Sequence, residues 1–80
     1  MDMRYLAVTG FRSDRELNAY LYDYAKVLDT GTTREGVMWA VVELPESHAE
    51  YQQGRLQSGM IGARVTSTEY QAAITILEKI

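Results

Sequence analysis

His48 is the chain's one imidazole, and it stands between two carboxylates in Glu46-Ser47-His48-Ala49-Glu50. A histidine oriented by a carboxylate can take a proton as a general base, and its charge changes near neutral pH. That chemistry still needs a nucleophile. Cysteine is absent, and no serine stands in a Gly-x-Ser-x-Gly elbow, so none is found at a readable spacing. One histidine and two carboxylates on a helix surface also make a poor metal site. No Walker loop, Gly-x-Gly-x-x-Gly string or zinc spacing appears, so neither metal nor cofactor is expected. The segment reads as polar helix surface.

The second chemical candidate is Asp29, in Val27-Leu28-Asp29-Thr30-Gly31-Thr32. Read from its residues, Asp-Thr-Gly is turn chemistry that ends the preceding helix, with Gly31 as a left-handed closing residue. The same string resembles the active-site motif of the aspartic proteases, and Met60-Ile61-Gly62 resembles the apolar-apolar-glycine element that supports that loop. In that family the aspartate shares a proton with a second copy across a dimer or between two lobes, so the resemblance implies that Asp29 is the catalytic group. Ahead of the motif, however, the residues read as a capped helix, and the turn reading is adopted.

Six tyrosines and one tryptophan are many for 80 residues. Tyr20 and Tyr24 share an apolar helical stripe, whereas Tyr22 points away from it toward Arg15, Asn18 and Lys26. An exposed tyrosine among charges is a typical contact residue. In the segment after Pro45, helical spacing gathers His48, Tyr51, Gln52 and Arg55 on one face beside Glu43, Glu46 and Glu50. Such a face suits recognition better than a core. Tyr22, Glu43, Glu46, His48, Glu50, Tyr51, Gln52 and Arg55 are therefore the candidate partner-binding residues.

These side chains must be held by a scaffold, and its centre is Gly36-Val-Met-Trp-Ala-Val-Val-Glu-Leu44. Val37, Trp39 and Val41 would face one side of a sheet and Met38, Ala40, Val42 and Leu44 the other, so both faces are apolar. Such a strand lies inside a sheet, covered on at least one side, and Pro45 ends it. Arg4 to Gly10 reads as a first strand. A Ser13/Glu16 capping box opens a helix whose stripe is Leu17, Tyr20, Leu21, Tyr24, Ala25 and Leu28. Residues 46–59 carry a Ser47/Glu50 box, but only Ala49, Tyr51 and Leu56 could be buried, so a short, marginal surface helix is expected. Met60 to Val65 reads as a weaker strand, with Ile61, Ala63 and Val65 on one face and Arg64 on the other. Thr66 to Glu69 is a capping signal, and Tyr70, Ala73, Ile74, Leu77 and Ile80 form the stripe of a terminal helix. The expected fold is α+β, one domain over residues 1–80, with three strands and helices mainly on one face. A fourth strand within Val27 to Thr33 would turn it toward a ferredoxin-like sandwich.

Eighty residues hold one small core, and 46 % hydrophobic with 24 % charged residues is an ordinary globular balance. A formal net charge of -3 argues against a nucleic-acid binder that relies on counterion release. The opening run is too short for a signal peptide and no stretch reaches membrane length, so a cytoplasmic protein, free of membranes, is expected. In size, acidity and lack of catalytic motifs the chain resembles the small inhibitors that phages encode against host machinery, among them type I anti-CRISPR proteins and other nucleic-acid mimics. The resemblance implies a protein-binding module, not an enzyme, monomeric or weakly dimeric, whose carboxylates occlude the basic surface of a nucleic-acid-handling complex. The alternatives are a ligand-binding or enzymatic domain with a pocket near His48 or Asp29, and a sheet that stacks bases on Tyr5 and Trp39.

Overall fold

The computed structural model describes residues 2–65 and 70–78. The elements are β1 (Met3–Thr9), α1 (Asp14–Tyr20), β2 (Lys26–Thr32), β3 (Met38–Pro45), α2 (Glu46–Ser58), β4 (Gly62–Val65) and α3 (Tyr70–Glu78). The strands form one antiparallel sheet in the order β2-β3-β1-β4. The fold is α+β, and its first six elements follow the split βαβ path of a ferredoxin-like sandwich.

β3 is central, as its apolar faces require. It pairs with β1 from Met3↔Pro45 to Thr9↔Trp39 and with β2 on its other side. Met38, Ala40, Val42 and Leu44 face a core completed by Leu6, Val8, Phe11, Leu17, Ala49, Leu56 and Ile61, under α1 and α2. Trp39 and Val41 face the opposite core, where α3 brings Ala73, Ile74, Ile76 and Leu77 onto Tyr5 and Ala7. Each fully buried Val or Leu contributes about 1.5–3 kcal/mol, so the two-sided burial of β3 anchors the domain. Among the described residues α1 and α2 share a face, and α3 covers the other.

α1 is shorter than its apolar spacing predicts. Ser13 caps it, its hydroxyl accepting from the Glu16 amide at 3.1 Å, but the helix ends at Tyr20 and Leu21 is already extended. Leu21, Tyr24 and Ala25 still reach the core from a loop, so their helical spacing records burial without a helix. Leu28, the last residue of the expected stripe, is exposed. The chain instead enters β2, the fourth strand that the sequence allowed for, with a bulge between Val27 and Asp29. Asp29-Thr30-Gly31 therefore lies within an edge strand and not in a helix-ending turn. The left-handed glycine of this region is Gly36 (φ +85°), in the tight β2–β3 connection.

α2 also departs from expectation, being a 13-residue helix instead of a short, marginal one. Its inward residues are Ala49, Gln52 and Leu56, whereas Tyr51 is exposed. The Ser47/Glu50 box does not form. Pro45 occupies the cap without a side-chain bond, and Ser47 Oγ lies 2.8 Å from His48 Nδ1. β4 runs along the sheet edge with Ala63 and Val65 packed inward and Arg64 exposed. The Thr66–Glu69 capping signal and Ile80 lie outside the described residues.

Candidate functional site

A buried polar side chain organises the surface between α1 and α2. Gln52 has no exposure, and its amide bridges the last residue of α1 and the loop that follows it. Its Oε1 accepts from the Tyr22 amide and its Nε2 donates to the Tyr20 carbonyl, each at 2.8 Å. Buried amides are stable only when paired in this way. The clamp holds Tyr20, Tyr22 and Tyr24 against the outer side of α2.

The rings then fall into a row. Tyr22 stacks on Tyr51 at 5.2 Å between centroids, and Tyr24 lies 5.5 Å from Tyr22. Tyr24 also meets the His48 ring in an edge contact at 4.4 Å. Arg55 sits 5.0 Å over the Tyr20 ring, a cation–π contact. Tyr20 in turn lies across Gly59, where an added Cβ would come within 2.4 Å of its Cζ. Tyr51 is 68 % exposed, so the row ends in an aromatic ring supported on one side and open on the other.

Hydrogen bonding to Tyr51, with desolvation next, pushes the Tyr22 phenol above its usual 10.0, and burial does the same for Tyr24. Tyr22 and Tyr24 are therefore neutral phenols at physiological pH. The Tyr24 hydroxyl is buried without a hydrogen-bond partner among the described residues. Beside the row, Tyr22, Glu50, Tyr51, Gly54, Arg55 and Ser58 line a shallow depression of about 380 Å³.

The sequence-derived candidates divide between this surface and others. Tyr22, His48, Glu50, Tyr51 and Arg55 come together here. Tyr22 does so from a loop, not from a helix, and it faces Tyr51 instead of Arg15, Asn18 and Lys26. Gln52 belongs to the interior and is not offered to a partner. Glu46 pairs with Arg4 at 2.7 Å at the start of α2, a partly exposed ion pair worth about 0–1 kcal/mol. Glu43 lies across the sheet, where its carboxylate accepts from the Tyr5 hydroxyl at 3.1 Å on the α3 side. Strand alternation separates it from α2, so Glu43, Glu46 and Glu50 do not form one acidic face. Tyr20, Tyr24 and Gly54 were not among the sequence candidates. The two tyrosines were masked by their apolar spacing, and Gly54 gives no signal in sequence alone.

Asp29 is engaged elsewhere. Its Oδ1 accepts from the Thr30 amide at 2.9 Å, and its Oδ2 accepts from the Tyr70 hydroxyl at 3.1 Å, tying α3 to β2. Tyr5 and Trp39 share the face packed under α3. Among the described residues no group of three metal-ligating side chains is found, and no helix is long and apolar enough to cross a membrane. Comparison with family models, curated proteins and solved structures gives no match to this chain.

Proposed function

We propose that this protein acts by binding another protein, through the tyrosine row along α2. The observation that carries the reading is Tyr51, 68 % exposed yet stacked on Tyr22, itself fixed by the buried Gln52 clamp. A preformed aromatic anchor loses little conformational entropy on docking, and tyrosine and arginine dominate the energetics of protein interfaces. Tyr22, Tyr51 and Arg55 are the anchors of this surface, with His48 and Glu50 at its rim.

The partner in this reading presents a basic surface. A net charge of -3 favours encounter with lysines and arginines, and Glu50 supplies a carboxylate beside the exposed ring. The biological consequence is inhibition of a nucleic-acid-handling host complex, because residues that hold phosphates would be covered. Chain size and acidity, resembling those of phage-encoded inhibitors, support that part of the proposal.

Affinity capture with the tagged protein tests it, with washes at low and high salt and Tyr51→Ala as a parallel bait. The expected result is a stoichiometric partner that is weakened by salt and absent from the Tyr51→Ala bait. A partner retained equally by both baits would remove the tyrosine row from the interface.

A further inference from the structure

Gly54 lies in the interior of α2, where glycine costs about 1 kcal/mol relative to alanine. Neither backbone nor packing accounts for it: its φ is not positive, and an added Cβ would meet nothing within 4 Å. The open space beside it belongs to the depression that Glu50, Tyr51 and Arg55 also line. Glu50 is one helical turn before Gly54 on the same row, and its carboxylate has no ion-pair partner among the described residues. Tyr51 has one ring face on Tyr22, so its large exposure lies on the remaining face and edge.

From this juxtaposition we infer that the depression at Gly54 is a receptor for an arginine side chain of the protein partner. The arginine stem crosses Gly54, where any larger residue would obstruct it. Its planar guanidinium stacks on the open face of Tyr51 and donates to the Glu50 carboxylate. Arginine fits better than lysine because stacking and paired donation both use the flat guanidinium fork. A stacked nucleobase is disfavoured, since its phosphates would approach Glu50. Arg55 does not fill the site itself, because its guanidinium lies over Tyr20.

This inference rests on the binding function proposed above and has a test that needs no identified partner. The full chain is titrated with N-acetyl-arginine amide while backbone and tyrosine-ring resonances are followed by NMR. N-acetyl-norleucine amide at matched ionic strength and adenosine monophosphate serve as comparison probes. The expected result is saturable shifts confined to Tyr22 and residues 50–58 with the arginine probe alone. Glu50→Gln should weaken that binding about tenfold, and Gly54→Met, which raises helix propensity, should abolish it with the fold intact. Equal shifts with norleucine amide, a response to the nucleotide instead, or unchanged binding in Gly54→Met would overturn the inference. Capture of a salt-sensitive partner by wild type and Gly54→Met alike would refute the arginine receptor and leave the wider binding function standing. Failure of capture with wild type would count against the binding function itself.

Discussion

The indole of Trp39 lies across Gly31, its cross-strand neighbour, so closely that a Cβ on the glycine would fall 2.6 Å from the Trp39 Cζ2. An aromatic covering a glycine on an edge strand pins the register of the pair. Gly31→Ala should therefore cost about 1–3 kcal/mol through overpacking, read as a lower urea midpoint with a shifted tryptophan emission. An unchanged midpoint would mean that the indole swings aside freely.

Gln52 offers a second test. Gln52→Leu removes the partners of the Tyr22 amide and the Tyr20 carbonyl while preserving bulk. Leaving buried groups unpaired costs about 1–3 kcal/mol each, so a clear loss of stability is expected in denaturant titration. The Tyr22–Tyr51 stack should loosen with it, seen as faster tyrosine-ring averaging by NMR.

Met60 follows α2 in the left-handed region, at φ 62°, and is 91 % exposed. A side chain there pays a steric penalty that no packing offsets. Met60→Gly is expected to stabilise the fold by about 0.5–1 kcal/mol in urea unfolding, and Met60→Val to destabilise it by a comparable amount.

Tyrosine ionisation sets the alkaline limit. Desolvation, with hydrogen bonds to Glu43 and Asp29 respectively, raises the Tyr5 and Tyr70 phenols above their usual 10.0, and Tyr22 and Tyr24 are raised as well. The folded chain holds these protons more tightly than the unfolded chain does. Their stabilising contribution is fully present below the unfolded value and is lost as pH rises through the folded-state values. Denaturant midpoints should fall above pH 10, together with the absorbance change of ionising tyrosine. A midpoint constant through that transition would contradict the shifts.

How far the sequence reveals this structure depends on what each segment buries. β3 is readable because its two faces enter two cores, whereas Ile61, Ala63 and Val65 mark the inner face of the β4 segment by packing into one core while Arg64 stays exposed. β2 is an edge strand with mostly exposed side chains, so it leaves no alternation to read. Tyr24 and Ala25, which reach the core from a loop, extended the apparent helix across its start. α2 looked marginal because its inward contacts include an amide, and the clamp depends on a loop 30 residues away in sequence. The acidic face failed for a simpler reason: strand alternation already sends Glu43 to the side of Val41, away from Val42 and Leu44.

The most direct test of the tyrosine row is calorimetric affinity for the captured partner, comparing wild type with Tyr51→Ala. Because Tyr51 is largely exposed, its truncation should lower stability by no more than about 1 kcal/mol. If the row is the contact surface, affinity should fall about thirtyfold or more while the fold persists, as expected for a central aromatic anchor. Affinity within about twofold of wild type would contradict the account and place the interface on another face of the molecule.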